Sequence, residues 1–355
     1  MGQSLEAVKL DMTNQTETIE VSDWKQLPTD PLVSVCVLAY RHEKFIAQTI
    51  EGVIAQRCDF PIELILGEDC SPDRTLTIAL DYQQRYPHLI RILTAKKNVG
   101  GRANWHRCQS AIRGKYVAIC EGDDYWHDPR KLQMQMELMS GNPDMVCCHT
   151  DFDRMTRFRT RRDVHKNHSS RWLAQDDAYI ALLHEWSVMT ATSIYCRDVI
   201  ERFKKSEFAN PQWPFGDRNL LLYASTLGKF GYIPVSTTVF RKVRGSAMNQ
   251  SFLSRMHMEL ATEECIELFL TKHPVDPKTA NEVRAIIKNK LYDTAFYLER
   301  ADLMQAIHDW LVGHGFTQNE PLHRLRLAAI ASKFPIRAIR ATRNFVNWHL
   351  SATPS

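Results

Sequence analysis

Residues 116–129 read YVAICEGDDYWHDP, an apolar segment that runs directly into a group of carboxylates. The acidic residues are Glu121, Asp123, Asp124 and Asp128. Like charges at this spacing repel, and each raises the pKa of its neighbours. Two interpretations are open: a solvated turn in which Asp128 caps a helix, or a turn that binds a positive partner. The segments on either side bear on the choice.

Strand-like and helix-like segments alternate around this stretch. Continuous apolar runs predict buried parallel strands at residues 31–40, 62–67, 89–93 and 116–120. Apolar periodicity or a capping residue followed by proline predicts helices at residues 43–56, from Ser71, at residues 103–112 and from Asp128. This alternation predicts an α/β fold, with a Rossmann-like, doubly wound and mostly parallel sheet and helices on both faces.

Three regions differ in pattern. Residues 1–30 are polar and lack periodicity, which predicts a loose leader. Residues 31–250 form the predicted main domain, with a first half that ends near residue 150 and a second half at about 151–250. In the second half we expect strands at residues 144–150 and 190–196 and a helix followed by a short strand within 215–234. Residues 251–355 are predicted to be helical.

Unusual polar residues stand where the predicted strands end. They are Tyr40, Glu68, Asp69, Asn98 and the acidic group from Glu121 to Asp124. Open α/β sheets bind ligands at the carboxyl ends of their strands. Several strand ends with polar groups at one edge are less expected by chance than a single acidic turn, which favours a binding site.

A hard divalent cation, Mn²⁺ or Mg²⁺, is the positive partner that fits the acidic group. Such ions take oxygen ligands, and Mg²⁺ commonly uses one or two carboxylates together with substrate phosphates. Gly122 allows the backbone and a ligand to approach closely. A cation at this turn would also stabilise a diphosphate as it leaves.

Composition excludes several classes of protein. A net charge of +4 is too small to indicate a nucleic-acid binder, and no RNA-binding motif is present. The nine cysteines lack zinc-site spacing and predict reduced thiols in a cytosolic protein. The first residues resemble no signal peptide, and no apolar run approaches the ~20 residues of a membrane-spanning helix. We therefore expect a cytoplasmic protein.

The C-terminal tail combines basic and apolar residues. After Glu320 no acidic residue follows, and six fixed positive charges are present, namely Arg324, Arg326, Lys333, Arg337, Arg340 and Arg343. Apolar and aromatic residues alternate with them, which is typical of a basic amphipathic segment at an anionic membrane surface. An alternative is that the apolar face packs on protein and the charges are solvated.

Several ordered motifs resemble the family 2 glycosyltransferases of the GT-A fold. They are VSVCVLAYRHEKFI, ELILGEDCSPDRT, NVGG followed by Asn104, GKYVAICEGDDYW, DPRKLQMQ and FGDRNLLLYASTLGKFGYIP. The resemblance covers residues 32–246 and implies an inverting transfer of a sugar from a nucleotide-diphosphate sugar to a hydroxyl. Bacterial relatives commonly build surface polysaccharides, so the implied acceptor is a glycan or lipid-linked glycan. A protein of this kind would lie on the inner face of the plasma membrane if the tail binds lipid.

The resemblance also implies roles for individual residues. The nucleotide-sugar side comprises Tyr40, Glu68, Asp69, Asn98, Gly100, Glu121 and Asp123. Glu121 and Asp123 match the two acids of the DxD motif, and either Asp123 or Asp124 is the direct metal ligand. Asp217 stands at the position of the general base. Trp126 and Trp186 are candidates for the acceptor site, with packing in the core or at its rim as the alternative.

Asp217 also has an argument of its own. An inverting transfer needs one carboxylate to take the proton of the attacking hydroxyl, and the residues before it, WPFG, are apolar enough to raise its pKa. The alternative is an acid at a helix N-terminus, where the helix dipole favours it.

Departures from the family pattern affect the metal site. Relatives often read Tyr-Arg-x-His where this chain has Phe240-Arg241-Lys242-Val243, so a histidine ligand is missing. Arg241 and Arg244 would instead contact phosphate or remain surface charges.

Two other functions are compatible with parts of the pattern. A nucleotidylyltransferase of similar fold should carry a glycine-rich phosphate loop after the first strand, and residues 40–43 contain no glycine. A non-catalytic metal- or nucleotide-binding module does not explain motifs that continue to residue 246.

Overall fold

A computed structural model describes residues 9–10, 18–156, 159–164, 178–184, 188–243, 251–317, 323–324 and 326–328. The chain divides into two compact units. The first comprises residues 1–210 and 215–246, and the second residues 211–214 and 247–355. The first unit contains the sheet and the second contains helices.

The described part of the first unit forms one mixed sheet of eleven strands. The strands are β1 (Lys9–Leu10), β2 (Thr18–Val21), β3 (Val33–Ala39), β4 (Ile62–Glu68), β5 (Ile90–Thr94), β6 (Tyr116–Glu121), β7 (Tyr125–Trp126), β8 (Met145–Met155), β9 (Thr160–Arg161), β10 (Ile194–Cys196) and β11 (Lys229–Arg241). Their order across the sheet is β1-β2-β5-β4-β3-β6-β10-β8-β11-β7, and β9 pairs with β8.

The four neighbouring strands β5, β4, β3 and β6 are parallel to one another, as is the pair β8 and β11. Their apolar side chains are buried because helices cover the sheet; β3, for example, buries Val33, Val35 and Val37 completely. Strand β10 runs antiparallel to both β6 and β8, and the remaining short strands are also antiparallel. The predicted α/β fold is therefore confirmed, as a mostly parallel sheet in which β10 and the short outer strands are antiparallel.

Helices connect the strands. In the first unit they are α1 (Ile46–Ile54), α2 (Thr75–Arg85), α3 (Gly101–Ala111), α4 (Lys131–Ser140), α5 (Ala178–His184), α6 (Arg197–Lys204) and α7 (Asp217–Ser225). Helices α2 and α4 begin later than predicted, after Arg74 and Arg130, and neither has a side-chain cap. Asp73 and Asp128 instead accept backbone N–H groups in the loops before these helices, from Thr75 and Arg130 respectively.

Residues 18–21 were expected to belong to a loose leader, and that expectation is wrong. They form β2, which pairs with β5. Glu20 is buried and accepts a hydrogen bond from Arg91 Nε at 2.9 Å, while Arg91 Nη1 bonds Glu63 at 2.9 Å. A buried charge is stable only when it is paired, so this ionic contact fastens the polar segment to the sheet.

The predicted strand at residues 190–196 is shorter in the structure. Only Ile194–Cys196 are strand, and Thr190–Thr192 form a single 3₁₀ turn before it. Strand β11, in contrast, is longer than the short strand that was expected.

The described part of the second unit contains α8 (Phe252–Lys272), α9 (Pro277–Tyr297) and α10 (Ala301–Gly313). This agrees with the predicted helical region. Ser251 caps α8, and Asp276 caps α9, whose first residue is Pro277. Within the described ranges, no helix has both the length and the apolar character needed to cross a membrane. All nine cysteines are free thiols.

Candidate active site

The polar strand ends lie at one edge of the sheet. Strands β3, β4 and β6 are adjacent and parallel, so the residues that follow them, Tyr40, Asp69 and Gly122, emerge on the same side. The sequence analysis predicted that these residues lie at one edge, because each follows the carboxyl end of a predicted parallel strand. The edge therefore brings the predicted nucleotide side and the acidic turn together.

The backbone of the acidic turn is fixed by α1 and β3. Gly122 N donates to Leu38 O at 2.8 Å, and the Thr49 hydroxyl lies 3.0 Å from Gly122 O and 2.6 Å from Asp124 O. A Cβ atom on Gly122 would lie 2.6 Å from His42 Nδ1 and 2.8 Å from Leu38 O. A glycine is required here because no larger residue fits between the two neighbours.

Asp124 is an anchor of the turn. Its side chain is 1% exposed, and Oδ1 accepts the backbone N–H of Arg241 at 2.8 Å. Burial, and then the charges of Glu121 and Asp123, raise its pKa well above the ordinary value. Asp123 is only half-buried, so Asp123 is the acid that the turn presents more openly.

Arg241, which matches the arginine of the family pattern Tyr-Arg-x-His, holds the turn from β11. Its Nη1 donates to Asp123 O at 2.6 Å, and Nη2 donates to Gln48 Oε1. The guanidinium lies over the rings of Tyr125 and Phe45, with its Cζ 4.3 and 5.3 Å from the centroids, which adds cation–π attraction. A fixed cation therefore stands beside the acidic turn.

Glu121 and Asp217 are electrostatically linked. Burial, then the charge of Asp217 and then that of Asp123, raise the pKa of Glu121 to about 8. Burial also raises the pKa of Asp217, although it is the first residue of α7, where the helix dipole favours the anion. Burial thus outweighs the dipole, which distinguishes Asp217 from an ordinary acid at a helix start.

Thr190 contacts Asp217, and no pattern in the sequence predicts this contact. Its hydroxyl donates to Asp217 Oδ2 at 3.3 Å. Thr190 belongs to the 3₁₀ turn that was predicted as strand, because Thr-Ala-Thr-Ser-Ile-Tyr has strand-like composition. Only the fold brings this hydroxyl to the carboxylate of Asp217.

Asp69 closes the loop that follows β5. Its Oδ1 accepts Val99 N at 2.9 Å, and its Oδ2 accepts Asn98 Nδ2 at 2.9 Å and Gly100 N at 2.8 Å. Gly100 has a positive φ of 87°, which a glycine adopts without strain. The predicted nucleotide residues Asp69, Asn98 and Gly100 therefore form one connected loop. The Arg107 guanidinium lies 3.6 Å from Oδ1, so the Asp69 carboxylate, which is 1% exposed, is enclosed by protein groups.

Glu68 is buried at the same edge of the sheet, where its carboxylate accepts hydrogen bonds from within the protein. Its carboxylate accepts the N–H groups of Cys70 at 3.0 Å and Ser71 at 2.7 Å and the Thr94 hydroxyl at 3.0 Å. Cys70 has a positive φ of 54°, so Glu68 stabilises a strained turn. In this arrangement Glu68 shapes the site rather than facing a ligand.

Tyr40 presents an exposed ring at the end of β3. The side chain is 37% exposed, and the Arg41 guanidinium lies 5.2 Å from the ring centroid. An exposed aromatic face of this kind can stack with a planar base.

Trp126 and Trp186 were both candidates for the acceptor site, and the structure describes only Trp126. Trp126 was expected near an acceptor, but it is 3% exposed and its indole Nε1 donates to Ala191 O at 2.8 Å. The Lys131 ammonium also lies 4.3 Å from the centroid of its ring. Trp126 therefore supports the interior, as the packing alternative proposed. Trp186 lies outside the described residues.

A divalent cation fits the acidic turn only in part. Oε2 of Glu121 is buried and has no hydrogen-bond partner among the residues that the structure describes, and three carboxylates crowd the turn. Across those residues, however, no group of three or more His, Cys, Asp or Glu side chains is arranged as a complete metal site. Both observations fit an ion held by one or two carboxylates together with a phosphate-bearing ligand.

Comparisons with known proteins agree with this geometry. Residues 34–203 match the family described as Glycosyl transferase family 2. An uncharacterized protein of Mycobacterium tuberculosis is 40% identical over 116 residues, which is 33% of this chain and 34% of that protein. The putative glycosyltransferase EpsE of Bacillus subtilis is 36% identical over 109 residues, 31% of this chain and 38% of EpsE. The chain thus spans about a third of the length of these relatives.

A solved structure has the same fold. Staphylococcus aureus TarS in complex with UDP-GlcNAc superposes with a TM-score of 0.59 at 17% identity, covering 79% of this chain and 80% of that one. The parallel centre of the sheet, the acidic turn after β6 and the family match of residues 34–203 point the same way. Residues 34–203 therefore form a family 2 glycosyltransferase domain.

Proposed function

We propose that the protein is an inverting glycosyltransferase that moves a sugar from a nucleotide-diphosphate sugar to a hydroxyl of a glycan or lipid-linked glycan. One observation carries the proposal: the charge of Asp217, a carboxylate of raised pKa held by the Thr190 hydroxyl, acts directly on Glu121, an acid of the nucleotide-sugar side. The nucleotide-sugar side and the carboxylate that accepts the proton are therefore adjacent, as a direct displacement at the anomeric carbon requires.

Donor binding is assigned to the edge formed by the ends of β5, β4, β3 and β6. The Tyr40 ring stacks on the base, and Asp69 holds the Asn98–Gly100 loop beside the nucleotide. Glu121 and Asp123 face the ribose and the diphosphate. In support, these residues follow four neighbouring parallel strands at one edge of the sheet.

Asp123 is the residue that would hold a Mn²⁺ or Mg²⁺ ion, because Asp124 is buried against Arg241. Such an ion, when bound with the donor, would neutralise charge on the departing diphosphate. Asp124 and Arg241 then act by keeping the turn in place. Because Arg241 donates to the Asp123 carbonyl, it orients the very residue that would bind the ion.

Asp217 takes the proton of the acceptor hydroxyl as its oxygen attacks the anomeric carbon. The carbon–oxygen bond to the diphosphate breaks on the opposite face, so the anomeric configuration inverts. The nucleoside diphosphate leaves with the bonding electron pair. The raised pKa of Asp217 suits this role, since a general base works best when its pKa approaches the operating pH.

A screen of nucleotide sugars tests the proposal. The protein is incubated with each donor, with and without Mn²⁺, and with glycan and polyprenol-linked acceptors. Release of a nucleoside diphosphate and an inverted product are the expected results. Release of pyrophosphate would indicate a nucleotidylyltransferase, and a retained configuration would contradict the role of Asp217. The Asp217→Asn variant should bind the donor with unchanged affinity and transfer no sugar.

A further inference from the structure

The 3₁₀ turn Thr190–Thr192 is held at every carbonyl. Ser193 donates its N–H and its hydroxyl to Thr190 O, both at 3.0 Å. Trp126 Nε1 donates to Ala191 O at 2.8 Å. Thr192 O accepts from Gln135 Nε2 at 2.9 Å and from Lys131 Nζ at 3.3 Å.

The anchors of this turn come from the segment that follows the acidic group. Trp126 forms part of β7, and Lys131 and Gln135 lie one helical turn apart on α4, joined by a 2.7 Å bond between Nζ and Oε1. Lys131 and Gln135 are both completely buried. Burial of a polar side chain destabilises the fold unless the side chain forms hydrogen bonds. Lys131 and Gln135 both donate hydrogen bonds to Thr192 O and so fix the three-residue turn.

The fixed turn directs one hydroxyl at Asp217. Thr190 Oγ1 lies 3.3 Å from Asp217 Oδ2, and the other oxygen, Oδ1, accepts the Arg218 N–H at 2.9 Å. Both carboxylate oxygens are therefore tethered, one to a backbone group of the same helix and one to the 3₁₀ turn. Without the hydroxyl, Oδ2 loses this hydrogen bond, and the bond from Arg218 N to Oδ1 leaves the carboxylate less restrained in rotation about its Cα–Cβ and Cβ–Cγ bonds.

We propose that Thr190 is the positioning residue of Asp217: its hydroxyl, fixed by the turn that Trp126, Lys131 and Gln135 anchor, holds the carboxylate aligned with the attacking acceptor oxygen beside Glu121. This inference rests on the proposed function and names a residue of that site which the family pattern did not supply. Thr190 does not touch the substrate. It acts through Asp217, by holding Oδ2 at 3.3 Å.

Substitution of Thr190 tests the role of the hydroxyl. Thr190→Val keeps the shape and removes the donor, whereas Thr190→Ser keeps the donor and removes a methyl group. We expect Val to lower kcat by about 10- to 100-fold with the donor KM within about twofold, because a misaligned group costs this much in a pre-organised site. Serine should restore kcat to within about threefold of the wild-type value.

Thr192→Val is the matched control. Thr192 is buried in the same turn, but its hydroxyl donates to Met189 O at 2.6 Å and reaches neither acid. The Thr192→Val variant should keep most of the wild-type kcat. Its melting temperature measures how the loss of a hydroxyl in this turn changes stability. Equal losses of kcat in Thr190→Val and Thr192→Val would overturn the proposal in favour of general damage to the turn.

A double-mutant cycle separates this inference from the proposed function. Denaturant midpoints are measured for Thr190→Val, Asp217→Ala, which removes the acceptor, and the double variant, and this measurement needs no activity. A contact predicts that the double shift differs from the sum of the single shifts, whereas additive shifts would overturn the proposal. If the cycle is non-additive but Asp217→Asn still transfers sugar, the general-base role fails, and positioning for catalysis fails with it. If Asp217→Asn is inactive and Thr190→Val is as active as the wild type, only the Thr190 proposal fails.

Discussion

Asp124 Oδ1 accepts the backbone N–H of Arg241 at 2.8 Å, and the Arg241 guanidinium returns to the carbonyl of Asp123 at 2.6 Å. The end of β11 and the acidic turn after β6 are thereby closed on each other. Neighbouring acids consequently differ in role: Asp124 maintains the turn, and Asp123 remains more open for a ligand.

Asp123→Ala and Asp124→Ala should therefore separate binding from stability. Asp124→Ala leaves the buried Arg241 N–H without its acceptor and should lower the free energy of unfolding by about 1–3 kcal/mol. Asp123→Ala should change stability little but weaken donor binding and remove its dependence on Mn²⁺. Denaturant unfolding and donor titration with and without Mn²⁺ measure the two effects. Similar behaviour of both variants in both measurements would contradict the assignment.

Stability should fall as pH rises because of Glu121. Its pKa in the folded protein is about 8, above the ordinary value of 4.5. A carboxyl with a raised folded pKa favours folding below its ordinary pKa, and this contribution is lost as pH rises toward the folded value. Burial is the main cause, and the facing charges are those of Asp217 and Asp123.

Glu121→Gln removes this titration and keeps the shape of the side chain. Relative to the wild type, the variant should gain about 1–3 kcal/mol in free energy of unfolding between pH 5 and pH 8, since each unit of pKa shift corresponds to ~1.4 kcal/mol. Urea unfolding of both proteins at the two pH values measures the gain. A difference between them that stays constant with pH would show that Glu121 has no raised pKa in the folded protein.

Gly122→Ala should disrupt the acidic turn. The new Cβ would lie 2.8 Å from the Leu38 carbonyl, which is backbone and does not yield as a flexible side chain would. Overpacking of this kind costs about 1–3 kcal/mol, and the displaced turn should lower donor affinity as well. Melting temperature and donor titration report both losses.

Gly141→Ala is the control for that change. Gly141 follows α4 with an ordinary right-handed helical conformation, and a Cβ there would meet its nearest atom at 3.5 Å. Its stability and donor affinity should match those of the wild type. If Gly122→Ala behaves like this control, the close approach does not constrain the turn.

The C-terminal tail is predicted to bind anionic membranes, and most of it lies outside the described residues. Arg326 is an exception, because it is buried and pairs with Asp293 on α9. His323 is also packed, since its carbonyl accepts the Tyr292 hydroxyl at 2.6 Å. These residues stabilise the helical unit and are not available to lipid.

Flotation with anionic liposomes should compare the full chain with a variant that ends at Ala328, which keeps these contacts. The full chain should bind in low salt and detach in high salt, because attraction to anionic lipid amounts to about 1 kcal/mol per basic residue near the surface and salt screens it. The shortened variant should not bind. Equal binding, or none by either protein, would leave packing as the role of the tail.

The sequence by itself determined the alternation of strands and helices and the residues at the strand ends. Local apolar runs and turn residues are enough to predict these features, because a buried parallel strand must be apolar throughout and the end of a strand is where polar residues become accessible. On this basis Asp69, Asn98, Glu121 and Asp123 are predicted at strand ends, and Gly100 is predicted only through the resemblance to the family 2 glycosyltransferases. Residues 18–21 were missed because their anchor, the pair of Glu20 and Arg91, joins positions far apart in the chain.

Only the tertiary structure decided which polar residues serve the fold and which remain open to a ligand. Glu68, Asp69 and Asp124 are buried and accept backbone N–H groups, whereas Asp123, an acid of the same kind, is more exposed. Thr190 gave no local signal, since its importance comes from a hydroxyl that meets Asp217 on a separate helix. Such contacts depend on distances and angles between distant segments, and a linear pattern of residue types does not contain that information.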